Sequence, residues 1–158
     1  MKGDSLALLR RYRLIWDSVK YEPGKLVVVA YDREGHPVMS DSVCTAGQPY
    51  RLMATVDKHS VCANGTEYAF VQLKVVDRQG NLCPDSSERI RFRVDGCGEF
   101  VASANGDPTD LNPFHISEMP VFHGQLMAIV RGNGRVGEFL FEASADGLLP
   151  CKIKIETK

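Results

Sequence analysis

The chain has 158 residues, enough for one ordinary domain and part of another, with 44% hydrophobic and 25% charged residues, as in a water-soluble globular protein. Its 19 basic and 20 acidic residues nearly balance and form no block of like charge, which argues against a nucleic-acid or polyanion partner. No apolar run approaches the roughly 18 residues of a membrane-spanning helix, so membrane insertion is not expected.

The first residues, Met1 to Arg11, lack an apolar core of signal-peptide length followed by a small-residue cleavage site. Any export signal is therefore expected upstream of them. Period-two alternation then sets in, the pattern of strands with one buried and one wetted face. Tyr12, Leu14 and Trp16 stand in phase, followed by apolar runs at Lys25 to Tyr31 and Pro37 to Val43. Three strands with one apolar face bury too little surface to offset chain entropy. Residues 1–46 are accordingly read as the closing part of a truncated sandwich, and Thr45-Ala46-Gly47-Gln48-Pro49 as a short linker.

Beyond the linker the alternation continues. Leu52, Ala54 and Val56 are in phase, as are Val71, Leu73 and Val75. Ile90-Arg91-Phe92-Arg93-Val94 puts apolar residues on one face and arginines on the other. Phe100, Ala102 and Ala104 form a shorter run, and Leu126, Ala128 and Val130, then Phe139, Phe141, Ala143 and Ala145, then Cys151, Ile153 and Ile155 complete the series. About seven strands separated by Gly, Asn, Asp and Pro clusters predict an all-β, immunoglobulin-like antiparallel sandwich over residues 47–158, preceded by a partial sandwich of about three strands.

An internal repeat supports this organisation. A β-rich run leads into Asp32-Arg33-Glu34-Gly35, and 45 residues later another leads into Asp77-Arg78-Gln79-Gly80. In each, the Asp can accept hydrogen bonds from the turn backbone while the Gly supplies positive φ, so each copy reads as strand, turn, strand.

Candidate chemistry is sparse. The five cysteines form no Cys-x-x-Cys pair, which removes the usual zinc and dithiol spacings; Cys151 is read as a small buried hydrophobe, and one pairing, Cys83 with Cys97, stays open. The glutamates are scattered at polar phases with no pair marked for glycoside hydrolysis, and the four histidines lack metal-ligand spacing. No serine elbow or phosphate loop occurs, so no catalytic residue, metal or cofactor is assigned. The stretch Asn105 to Gly124 stands out as about 20 residues between two strands. Its oxygen donors Asn105, Asp107 and Asp110 and its rings Phe114, His115, Phe122 and His123 are the candidate ligand-binding residues, for a sugar or, less in keeping with the spacing, calcium.

Several segments resemble the C-terminal region of glycoside hydrolase family 2 β-galactosidases of the Bacteroides type. They are Arg11-Tyr12-Arg13-Leu14-Ile15-Trp16, Val19-Lys20-Tyr21-Glu22-Pro23-Gly24-Lys25-Leu26, Ala30-Tyr31-Asp32, Thr45-Ala46-Gly47, Asp77-Arg78-Gln79-Gly80-Asn81, Asn105-Gly106-Asp107-Pro108 and Phe122-His123-Gly124. The resemblance implies that the catalytic glutamates lie in an upstream barrel, the acid/base within an Asn-Glu pair. No such dipeptide occurs here, so none is carried over. It implies a non-catalytic accessory module whose partners are the upstream domains of the same polypeptide, with possible homo-oligomer contacts, and a periplasmic or cell-surface location. Two other readings stand beside it: carbohydrate binding through residues 105–124, and a bacterial immunoglobulin-like spacer or adhesin repeat.

Overall fold

A computed structural model describes residues 15, 16 and 18–158. The chain divides into two compact units, Met1–Thr45 and Ala46–Lys158. In the first, β1 (Lys25–Tyr31) and β2 (Pro37–Cys44) form an antiparallel hairpin with Lys25 opposite Cys44. The strand expected around Tyr12 and Leu14 lies outside the described residues; Trp16 is exposed and in no strand.

The second unit is the immunoglobulin-like sandwich that the alternation predicts. Its strands are β3 (Arg51–Val56), β4 (Ser60–Val61), β5 (Tyr68–Val76), β6 (Arg89–Gly96), β7 (Gly98–Ala104), β8 (Glu118–Pro120), β9 (Gln125–Gly132), β10 (Gly137–Ser144) and β11 (Cys151–Thr157). One sheet runs β3-β5-β9-β7, the other β4-β11-β10-β6-β8. All pairings are antiparallel except the short β11–β4 contact.

The core lies where the apolar phases of the two sheets meet. Ala69, Val71, Leu73 and Val75 of β5 and Leu126, Ala128 and Val130 of β9 face Ile90 and Phe92 of β6, Phe139, Phe141 and Ala143 of β10 and Ile155 of β11. Phe92 stacks on Phe100 at 5.3 Å and on Phe141 at 6.0 Å between ring centroids, which ties β6 to β7 and β10. Each such ring, fully withdrawn from water, contributes about 1.5–3 kcal/mol.

Two sequence expectations need correction, and one open point closes. Phe100, Ala102 and Ala104 do not share a face, because a bulge between Phe100 and Ala102 shifts the register, leaving Phe100 opposite buried Val130 and Ala102 opposite Ile129. The strands number nine rather than seven, since β4 and β8 are too short to show any period. The pairing left open between Cys83 and Cys97 is not made, since all five cysteines are free: Cys83 is buried beside the Gly47 carbonyl, and Cys97 lies beside Val136.

The internal repeat has the same hydrogen-bond pattern in both copies. After β1, Asp32 N donates to His36 O at 2.9 Å, Gly35 N to Asp32 O at 3.2 Å and His36 N to Asp32 Oδ1 at 2.8 Å. After β5, Asp77 N donates to Asn81 O at 3.0 Å, Gly80 N to Asp77 O at 3.2 Å and Asn81 N to Asp77 Oδ1 at 2.8 Å. Gly35 and Gly80 take φ of 86° and 91°, the left-handed region that this five-residue turn demands.

Candidate functional site

The irregular connection after β7 is shorter than its sequence suggests, because β8 and the Phe122–Gln125 turn occupy its second half. What remains is built from successive turns in which side-chain oxygens accept from the backbone two residues on. Asn105 Oδ1 accepts from Asp107 N at 3.0 Å, Asp107 Oδ1 from Thr109 N at 2.8 Å and Asp110 Oδ1 from Asn112 N at 2.8 Å. Asn105 Nδ2 then donates to Asp110 Oδ2 at 2.7 Å and to Pro120 O at 3.1 Å, closing the loop on β8. These bonds, the Asn112 backbone amide first, hold the Asp110 carboxyl below the usual carboxylate range.

Of the candidate residues, the structure thus brings Asn105, Asp107 and Asp110 into one hydrogen-bonded cluster whose oxygens face N–H donors. Among the described residues, no group of three or more His, Cys, Asp and Glu side chains is placed to hold a metal. Phe114, 64% exposed, anchors the loop through its carbonyl, which accepts from Ser103 N at 2.7 Å; His115 is exposed beside it. Phe122 and His123 form a separate pair, their ring centroids 4.2 Å apart. His123 (φ 49°) and Gly124 (φ 71°) are the two central residues of the tight turn between Phe122 and Gln125.

A second polar centre, unmarked as a site by the sequence, surrounds Asp77. This side chain is only 1% exposed, yet its carboxylate accepts from Gln79 N at 2.9 Å, Asn81 N at 2.8 Å, Asn81 Nδ2 at 3.0 Å and Gly47 N at 2.8 Å. These donors, the Gly47 amide first, pull its pKa down to about 2. Beside it lies a shallow cleft of about 220 Å³ lined by residues 47–50 and 77–79, where the Arg78 guanidinium sits 4.5 Å above the Tyr50 ring. None of the seven candidate residues lines it. The bond from Gly47 joins residues 30 apart in sequence, so no local pattern announces it.

The glutamates do not pair with one another in this way. Glu138 meets Lys154 at 2.7 Å, Glu99 meets Arg131 at 2.7 Å, Glu118 meets Arg89 at 3.3 Å and Glu142 meets Lys152 at 3.4 Å, all surface ion pairs. Glu67 joins Lys58, whose hydrogen bond lowers its pKa rather than raising it as an acid catalyst would need. Among the described residues, no helix is long and apolar enough to cross a membrane.

Residues 52–154, nearly the whole sandwich, match the family described as glycoside hydrolase family 2 C-terminal domain 5. The chain belongs to that family. Residues 3–39 match a further family, a domain of unknown function named DUF4982. This C-terminal domain 5 chain is 32% identical over 140 residues to β-galactosidase BoGH2A of Bacteroides ovatus, covering 89% of this chain and 16% of that protein. A solved β-glycosidase of Bacteroides vulgatus superposes with a TM-score of 0.83 at 26% identity, over 88% of this chain and 18% of the other. A solved glycosyl hydrolase family 2 member from Bacteroides cellulosilyticus shares the fold, with a TM-score of 0.84 at 23% identity, over 89% of this chain and 18% of the other. The chain thus spans about a sixth of its curated relative and under a fifth of these solved neighbours.

Proposed function

We propose that this chain is a non-catalytic accessory region of a longer family 2 glycoside hydrolase, acting as a structural module that stabilises the enzyme or its assembly. The family match over residues 52–154 carries this reading. Glu99, Glu118, Glu138 and Glu142 are held in surface ion pairs with Lys and Arg, and no convergent acid/base pair stands among the described residues. The similarity to a β-galactosidase supports a β-galactoside substrate for the intact enzyme, and export to the periplasm or cell surface goes with that reading.

The first unit fits the same picture. Leu26, Val27, Val28 and Val29 are consecutive and all exposed, so β1 is apolar on both faces, while β2 sets Val43, Ser42, Asp41 and Ser40 opposite them. An isolated two-stranded hairpin is marginal in water. A strand apolar on both faces is suited to the interior of a larger sandwich.

Deleting residues 46–158 from the intact enzyme tests the module's role. A lower melting temperature or a changed oligomeric state is expected, and unaltered values of both would sink the proposal. Galactoside titrated against the chain should give no heat and no shift of the Phe114 or Phe122 resonances at millimolar ligand; saturable binding would instead establish a sugar-binding role for the loop.

A further inference from the structure

Three asparagines of the sandwich precede a glycine: Asn64-Gly65, Asn105-Gly106 and Asn133-Gly134. Such a pair can lose ammonia. Glycine has no Cβ to shield its amide nitrogen, which is free to attack the carboxamide carbon of the asparagine before it. All three glycines hold left-handed φ, of 74°, 82° and 90°, so the local backbone does not tell them apart. The hydrogen bonds around each carboxamide do.

At half-buried Asn105 the leaving nitrogen is held. Nδ2 donates to Asp110 Oδ2 at 2.7 Å and to Pro120 O at 3.1 Å. The anionic Asp110 also opposes a second negative charge developing on this carboxamide. Asn133 is held in a similar way, with Nδ2 donating to Gly96 O at 3.1 Å and to Gly98 O at 3.3 Å. Its prospective nucleophile, Gly134 N, is taken up by Ala63 O at 2.7 Å.

Asn64 reverses these conditions. It is exposed, and among the described residues its Nδ2 meets no acceptor, while Gly65 N makes only a long bond to Cys62 O at 3.4 Å. Its Oδ1 instead accepts twice from one residue, from Thr66 N at 3.1 Å and from Thr66 Oγ1 at 2.7 Å. Two donors on this oxygen draw electrons from the carboxamide carbon and stand ready for the oxyanion that forms when that carbon is attacked. The fold keeps the turn in place: Ala63 N donates to Lys158 O at 2.7 Å and Ala63 O accepts from Gly134 N, fixing it between the end of the chain and the β9–β10 connection.

We propose that Asn64 is a modification site at which the folded chain deamidates selectively, with water as co-reactant and the two Thr66 donors as the activating group. Gly65 N gives its proton to solvent hydroxide and bonds to Asn64 Cγ. The Cγ–Nδ2 bond then breaks, and ammonia departs with a proton from water. The five-membered imide left behind takes up one water. Opening at Cγ leaves an aspartate at position 64, opening at the main-chain carbonyl leaves an isoaspartate, and nothing is oxidised or reduced.

Incubating the chain at mildly alkaline pH and following its peptides by mass spectrometry tests this. Conversion at position 64 is expected to outrun that at 105 and 133 by about tenfold or more, the effect of one or two hydrogen bonds on a barrier. Thr66→Val, which removes one hydroxyl from an exposed residue, should slow it about fivefold, and Thr66→Ser should keep the original rate. In urea the three sites should convert at similar rates, because the hydrogen bonds that separate them are gone. Equal conversion at the three sites of the folded chain overturns the assignment, as does a preference for position 64 that persists in urea. Faster conversion in Thr66→Val also overturns it, since the Thr66 bonds would then protect Asn64 by holding it still.

Discussion

Asp77 Oδ2 accepts from Gly47 N at 2.8 Å, so the carboxylate that closes the turn after β5 also fixes the segment through which the chain enters the sandwich. Because the folded-state pKa of about 2 lies below the ordinary 3.8, this interaction stabilises the fold above about pH 4 and is lost as pH falls from there towards 2. Asp77→Asn turns one oxygen into a donor facing Gly47 N or Asn81. It should lower the urea midpoint at pH 7 and flatten its fall between pH 5 and 2, as read from denaturation curves at each pH. Asp32→Asn, in a turn exposed to water, should do much less.

Gly124 and Gly80 both hold positive φ, but only Gly124 is also enclosed. A Cβ there would lie 2.2 Å from the Cys83 carbonyl oxygen, whereas at Gly80 nothing stands within 4 Å. Gly80→Ala should therefore cost about 1 kcal/mol of backbone strain, and Gly124→Ala about 3 kcal/mol or more. Equal losses in chemical denaturation would show that φ alone governs both sites.

Ser103 is fully buried on the core-facing phase of β7, opposite Ala128, and its hydroxyl has no hydrogen-bond partner. A buried hydroxyl left unpaired costs about 1–3 kcal/mol. Ser103→Ala removes that group while keeping the backbone bond to Phe114, so stability should be unchanged or higher by up to about 1 kcal/mol. A clear loss would reveal a partner for the hydroxyl.

The thiols should separate by burial. Burial pushes the Cys151 thiol up to about 11, and Cys83 is likewise raised chiefly by burial, whereas Cys44 and Cys62 are exposed, the Cys62 thiol being raised by its hydrogen bond to Glu67 and so slower to react than Cys44. Iodoacetamide at pH 8, followed by peptide mass spectrometry, should label Cys44 and Cys62 in the native chain and reach Cys83 and Cys151 only after unfolding. Since the folded pKa of Cys151 exceeds the unfolded 9.0, its contribution to stability is present below pH 9 and lost as pH rises from 9 towards 11.

Much of the sandwich is legible in the sequence because side-chain period two is a local property. Ile90, Phe92 and Ile155 are buried where the alternation puts them, with Arg91, Arg93, Lys152 and Lys154 outward. The Phe100 run fails because one extra residue in a bulge reverses the phase, and β4 and β8, at two and three residues, are too short for any period. The candidate loop shows the same divide. Its Asx turns are local and readable, while its attachment to Pro120 through Asn105 is not. Tyr68 and Phe70 carry a local signal of their own, since β5 has large apolar residues on both phases, Tyr68 and Phe70 outward and Val71, Leu73 and Val75 inward.

The Asp77–Gly47 bond has a further consequence. The carboxylate reads a backbone amide, a group every residue except proline possesses. A Cβ at Gly47 would meet the Asp77 side chain no closer than 3.5 Å, an ordinary contact. The bond at the entrance to the sandwich therefore has room for a Cβ at position 47 and is closed to one imino acid. The specificity of this joint thus resides in the Asp77 side chain, while position 47 contributes only its backbone amide.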